Sequence, residues 1–325
     1  MKRIALMLSG LSRTYRETAE SLLQNVVLVN QADGYAVDVF IHTWSEKDCS
    51  DVVWHNPDGK KRADAMKGAD YQDLVERYQP KALAVELPLD IPKEPVLNER
   101  LKPFMRSYSS IASCFYSRWR VNQLREDYSD RTGVHYDYVI LTRLDVLYKH
   151  PFRLKDFFGT FEQYGCTVPN DHVFTSATPF KRGMIDNDFM RCCTDIVLFA
   201  RPRIMTRICS FYEELAAGRL SPEFVTKELY GMEVLWSRYW EKENIPTTFL
   251  RFQEEWDYSI LRSAANTHYT PPSAKQIRHW KLKRNFRSFC DVFRPAFNWL
   301  VEPFAVAVYA ARAGLKAAKT LIREL

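Results

Sequence analysis

At 325 residues, with 46% hydrophobic and 26% charged residues, the chain can bury one large core or two modest ones and is too apolar for disorder. The net charge is +6, yet Ala274 to Leu325 carries 11 basic against three acidic residues, a local +8 that leaves the remainder at −2. A nearly neutral body argues against nucleic acid as a partner, and a basic end points to an anionic one, most simply a membrane surface.

In chain order, Met1-Lys2-Arg3 leads into Ile4 to Leu8, an apolar run of five that is too short for a signal h-region and is cut off by Ser9-Gly10. It reads as a first strand. Arg16 to Val29 follows as a helix, Val37 to Ile41 as a strand, His55 to Asp70 as a polar surface excursion, Tyr71 to Tyr78 as a helix and Ala82 to Leu87 as a strand. Five of the 16 prolines fall between Pro80 and Pro103, an irregular connection in which an active-site loop can live. Ser109 to Tyr128 is helical by the spacing of Ile111, Cys114, Phe115, Val121, Leu124 and Tyr128, and Tyr138 to Leu141 is a further strand. Strands alternating with helices predict an α/β domain with a mostly parallel sheet flanked by helices.

Pro151 to Leu250 mixes both signals. A strand is expected over Asp195 to Ala200, and Met232, Leu235, Trp236, Tyr239 and Trp240 give one apolar helix face. The last part differs in kind. Phe304, Val308, Ala311, Leu315, Ala318, Ile322 and Leu325 form a continuous stripe flanked by Arg312, Lys316, Lys319 and Arg323, a basic amphipathic helix. The expected division is therefore a domain over 1–270 and a tail over 271–325. No stretch supplies the roughly 20 apolar residues of a spanning helix, since Glu302 and Arg312 bracket the longest candidate. The expectation is a cytoplasmic protein, peripheral on the inner membrane face. Seven cysteines without a C-x-x-C pair suit a reducing compartment, and the vicinal Cys192-Cys193 reads as core packing.

The most informative segment runs from Asp137 to Tyr148. Arg143 and Asp145 lie two apart just where an apolar strand ends, so alternation puts them on one side, at the edge where open α/β sheets bind ligands. A carboxylate there can hold a divalent cation bridging two phosphates, and an Arg beside it can neutralise phosphate directly. An ordinary Arg–Asp salt bridge at a strand end is the alternative. Ser9-Gly10-Leu11-Ser12-Arg13-Thr14 follows the first strand: a glycine lets backbone amides approach a ligand, hydroxyls bond phosphate or ribose, and Arg13 adds charge. It lacks the G-K-[ST] ending of a Walker A loop. Asp186-Asn187-Asp188 offers a general base for an acceptor hydroxyl, or else a solvated loop. Of Glu223, Glu228 and Glu233, five apart and on different faces, Glu233 is best placed at the edge of the buried stripe. The seven histidines show no metal-ligand spacing.

Five blocks in order, 4–14 (Ile-Ala-Leu-Met-Leu-Ser-Gly-Leu-Ser-Arg-Thr), 37–44 (Val-Asp-Val-Phe-Ile-His-Thr-Trp), 78–86, 113–124 and 136–145, resemble bacterial GT-A-like glycosyltransferases of surface-polysaccharide biosynthesis, lipopolysaccharide or capsule. Asn187-Asp188-Phe189, Thr194-Asp195-Ile196 and Glu233 to Tyr239 are similar to later blocks, so the resemblance covers about residues 1–250. It implies a nucleotide-sugar donor at the C-terminal edge of the sheet, with Ser9, Gly10 and Arg13 near the nucleotide, Arg143 and Asp145 at the diphosphate, and Asp188 or Glu233 catalytic at a lipid-linked saccharide acceptor. It also implies a divalent cation, Mn or Mg, on Asp145. The D-x-D pattern reads Arg143-Leu144-Asp145 here, so Arg143 would take over part of the metal's work. Two other classes compete. In a sulfotransferase-like enzyme, Ser9 to Thr14 would bind a phosphosulfate donor. In a non-catalytic membrane-associated scaffold, Asp145 would be buried and paired.

Overall fold

The computed structural model describes residues 1–48, 63–90, 108–163, 165–177, 193–219, 232–250, 252, 254 and 256–262. The tail helix, the division at 270/271, Cys192, Glu223, Glu228 and the Asp186–Asp188 cluster lie outside the described residues.

Among the described residues, seven strands form the main sheet, in the order β3-β2-β1-β4-β7-β6-β8. They are β1 (Arg3–Ser9), β2 (Ala36–Trp44), β3 (Ala82–Glu86), β4 (Tyr138–Arg143), β6 (Val173–Ala177), β7 (Cys193–Ala200) and β8 (Thr247–Leu250). The first four run parallel, as the alternation predicts, with Ser9 paired to His42 on one side and to Arg143 on the other. β7 runs antiparallel to both β4 and β6, while β8 returns parallel to β6. The architecture is α/β with a mostly parallel sheet flanked by helices. A small antiparallel pair, β5 (Val146–Tyr148) with β9 (Tyr258–Ile260), carries the chain back to the end of β4.

Why Ile4 to Leu8 of β1 are all apolar follows from its two covered faces. Ile4, Leu6 and Leu8 pack with Tyr15, Leu22, Ile41 and Ile140 on one side. Ala5 and Met7 pack with Phe40, Phe115, Leu141 and Trp236 on the other. A strand buried on both faces reads as a continuous apolar run.

The helix expected over Arg16 to Val29 is a composite: α1 (Tyr15–Leu22), a π-helical stretch (Leu23–Leu28) and α2 (Val29–Ala32). Inside the stretch the Asn25 carbonyl accepts from the Phe152 N–H (2.7 Å), and the Asn25 side-chain amide donates to the Tyr148 carbonyl (3.0 Å). A helix carbonyl engaged from outside accompanies the widened turn. The remaining helices among the described residues are α3 (Gly68–Tyr78), α4 (Tyr108–Thr132), α5 (Leu154–Gln163), α6 (Pro202–Cys209), α7 (Phe211–Ala216) and α8 (Met232–Lys242). In α8 the predicted stripe is observed: Leu235, Trp236, Tyr239 and Trp240 are all buried. Cys193 is buried, as the packing reading expects. No helix among the described residues is long and apolar enough to cross a membrane.

Candidate functional site

Because β1, β2, β3 and β4 are parallel, their last residues, Ser9, Trp44, Glu86 and Arg143, share one edge of the sheet. Asp195 joins them from the opposite strand direction. It precedes Leu198, the partner of Leu141, by three residues, so the antiparallel register carries it past the end of β4.

Arg143 and Asp145 meet, although not by strand alternation. β4 ends at Arg143, and Asp145 sits in the turn that follows. Arg143 Nε donates to Asp145 Oδ1 (2.8 Å) and its Nη2 to Oδ2 (2.6 Å), a bidentate pair. Arg13 Nη1 adds a third bond to Oδ2 (2.9 Å), and Arg13 Nε reaches Asp48 Oδ1 (2.7 Å). Side-chain exposure falls from 17% at Arg143 to 6% at Arg13 and 1% at Asp145. Burial raises the pKa of the Asp145 carboxyl, but Arg143 and Arg13 outweigh it, and the net shift is downward. The same pair holds the Arg143 guanidinium firmly protonated despite its burial.

The salt-bridge alternative is thus present in full, and Asp145 turns inward to hold two arginines. Its carboxylate does not fit a divalent cation, because guanidinium groups already cover both oxygens. Among the described residues there is no group of three or more His, Cys, Asp or Glu that could hold a metal ion.

The loop after β1 also departs from expectation. Gly10 has φ of +98°, which glycine adopts at little cost. Its N–H, however, donates to Ser117 Oγ on α4 (2.7 Å), and the Arg13 N–H donates to the Lys47 carbonyl (2.7 Å). Those two amides are committed inside the protein, so the loop shapes the site without offering them to a ligand. Arg13 is itself in the left-handed region (φ +26°), a conformation that costs a non-glycine residue about 1–3 kcal/mol and is maintained here by bonds to Asp48, Asp145 and Lys47.

Ser117 accepts from Gly10 and also hydrogen-bonds with His42 Nδ1 (2.7 Å), while His42 Nε2 lies 3.5 Å from Glu86. Serine, histidine and glutamate in line resemble a nucleophilic triad, but Ser117 and His42 are fully buried and Ser117 is engaged by a backbone amide. The relay braces Gly10. Burial, opposed by Glu86, lowers the His42 pKa to about 4. The unfolded chain therefore binds a proton first as the pH falls. Stability is expected to drop by on the order of 3 kcal/mol between about pH 6.5 and pH 4. Urea denaturation across that window should show a flatter slope for His42→Gln than for the native chain; equal slopes would contradict this role.

Glu233, at the start of α8, belongs to the same neighbourhood. The Cys193 thiol donates to its carbonyl (3.6 Å), and the Cys193 N–H donates to Ser237 Oγ (3.0 Å), which seats α8 against the start of β7. Burial first, then the Asp195 carboxylate, pushes Glu233 up to about 7, against the pull of Arg118. Arg118 is buried on α4, with Nη2 donating to both the Asp195 carboxylate (2.7 Å) and its carbonyl (2.8 Å) and the guanidinium 4.3 Å from the Trp236 ring centroid. Glu233 is thus about half protonated near neutral pH, beside an Asp195 that is paired with Arg118.

Arg118, Asp195, Ser117 and His42 went unrecognised as site residues in the sequence, although all four stand in the blocks that carry the resemblance. Arg262 gave no sequence signal. It reaches the edge because the Leu261 N–H donates to the Asp145 carbonyl (2.8 Å) and Thr14 Oγ1 donates to the Leu261 carbonyl (2.6 Å).

No family model and no curated protein matches this chain. Among solved structures, mouse xyloside xylosyltransferase 1 in its apo form aligns with 77% of this chain and 85% of its own, at 13% identity and a TM-score of 0.39.

Proposed function

We propose that the chain is a glycosyltransferase that moves a sugar from a nucleotide-sugar donor onto a lipid-linked or polysaccharide acceptor, in the manner of the bacterial surface-polysaccharide enzymes that its sequence blocks resemble. The observation that carries this reading is the pairing, at one sheet edge, of an arginine cluster suited to a diphosphate with a carboxyl group poised near pH 7. In the reaction the acceptor hydroxyl oxygen bonds to the anomeric carbon, Glu233 takes the hydroxyl proton, and the nucleoside diphosphate leaves with the electron pair of the broken C–O bond. Arg143 and Arg13 neutralise the charge that develops on the departing phosphate. Asp188 is the alternative base. Thermal shift with a panel of nucleotide sugars tests the reading: one donor should raise Tm, because a ligand at a hundredfold its Kd stabilises by about 2.7 kcal/mol, and a flat response across the panel would count against it.

The non-catalytic scaffold is the second reading, favoured by the burial and pairing of Asp145. It provides no use for a half-protonated Glu233. The sulfotransferase-like reading needs loop amides that are here committed to Ser117 and Lys47.

The tail supplies the membrane side of the proposal. The stripe from Phe304 to Leu325 buries apolar side chains at the headgroup boundary while Arg312, Lys316, Lys319 and Arg323 meet anionic lipid, each contributing roughly 1 kcal/mol. The full chain should co-sediment with anionic vesicles and not with neutral ones, and a truncation ending before Lys275 should lose that binding. Recovery of the full chain in the supernatant with both vesicle types would refute the anchoring.

A further inference from the structure

We infer that Arg13, Arg143 and Arg262 form a diphosphate cradle around Asp145 that works without a divalent cation. The inference uses the nucleotide-sugar reading only to name the anion.

The geometry comes from three chain segments. Arg143 ends β4, Arg13 lies in the loop after β1, and Arg262 follows β9, drawn to the same edge by the backbone bond from Leu261 to Asp145 and by the Thr14 hydroxyl on the Leu261 carbonyl. Asp145 uses Oδ1 for Arg143 and Oδ2 for both Arg143 and Arg13. It works as a central pin that orients guanidinium groups, the role a second-sphere carboxylate plays toward a ligand-binding group. A cation placed on it would have to displace at least one of those bonds and then sit among like charges.

The guanidinium groups gathered at Asp145 also meet the carboxylates of Asp48 and Asp195. Arg143 spends Nε and Nη2 on Asp145 and is the most exposed of the three groups in that contact set. Burial, then the like charges of Arg143 and Arg13, lower the Arg262 pKa to about 10, so the third guanidinium lies within the field of the other two. Guanidinium forks match phosphate oxygens in pairs, whereas a metal-dependent site needs carboxylates free to coordinate. Where the resembling enzymes place the first carboxylate of D-x-D, this chain has Arg143.

The test is calorimetric titration of the full chain with inorganic pyrophosphate, once in EDTA and once in Mn²⁺. The expected result is binding in EDTA that is no weaker than in Mn²⁺, with Arg262→Gln weaker by at least on the order of tenfold and Arg262→Lys in between, as loss of charged hydrogen bonds implies. Binding that needs Mn²⁺, no pyrophosphate binding in either buffer, or an Arg262→Gln variant that binds like the native chain would overturn the inference. If Arg262→Gln does not fold, the native comparison of EDTA with Mn²⁺ decides alone. The two proposals fail separately. Cation-independent pyrophosphate binding without sugar transfer removes the glycosyltransferase reading and keeps the cradle, while sugar transfer that requires Mn²⁺ does the reverse.

Discussion

Asp145→Ala is expected to destabilise the fold by about 3–5 kcal/mol as well as to abolish transfer, because removing the carboxylate leaves Arg143 and Arg13 as buried charges without their shared partner. The sequence places Asp145 at a strand end that could face a phosphate, whereas the structure has its carboxylate holding two arginines. Asp145→Asn separates the two effects: it keeps the volume and one acceptor oxygen while losing the charge that aligns the guanidinium groups. Arg143→Ala should cost activity strongly, since it removes the more exposed of the two cations bonded to Asp145. Urea denaturation and donor binding on the three variants check this. A native-like midpoint for Asp145→Ala would show that the carboxylate is not the pin described above. The pH sign is fixed by the lowered folded pKa: the Asp145 contribution is complete above about 3.8, the ordinary value, and is lost as the pH falls below it. Its window therefore lies below that of His42.

Glu233→Gln is expected to move stability and activity in opposite directions. The Glu233 pKa is raised to about 7 in the folded chain from an ordinary 4.5, so ionisation favours the unfolded state as the pH rises through that interval. Removing the ionisable group should therefore stabilise the protein at pH 8 by on the order of 1–3 kcal/mol, while transfer falls by about 10²–10⁴-fold with the loss of the base. Gain in stability with loss of function is the pattern of a group retained for chemistry. The charged groups bearing on Glu233 are Asp195 from β7, Arg118 from α4 and Glu254. Asp195→Asn should accordingly shift the acid limb of the kcat/KM profile to lower pH. An unshifted profile, or a Glu233→Gln variant with native turnover, would exclude Glu233 as the base.

Much of this arrangement was legible in the sequence wherever one residue pattern answers to one structure. β1 to β4 and α8 followed from apolar runs and helical spacing, because burial on both faces of a strand, or on one face of a helix, admits few other residues. Arg143, Asp145, Arg13 and Glu233 were identifiable from their places at element ends. Less legible were features that depend on long-range register. The antiparallel entry of β7, which brings Asp195 to the edge, is not encoded by any local pattern. Nor is the return of β9, which delivers Arg262. For a related reason the sequence leaves the direction of Asp145 open between a phosphate and a salt bridge. Spacing put it beside Arg143, but only the turn after β4 and the approach of Arg13 decide that it points at guanidinium groups.

The central claim, sugar transfer from a nucleotide sugar with Glu233 as the base, is tested most directly by following nucleoside diphosphate release and labelled-sugar incorporation. The assay incubates the full chain with a nucleotide-sugar panel and a bacterial lipid-linked saccharide fraction, beside Glu233→Gln. The account predicts that one donor gives release and incorporation in equal amounts, and that both fall at least about 10²-fold in the variant. Absence of incorporation from every donor, or equal rates in the two proteins, would contradict it.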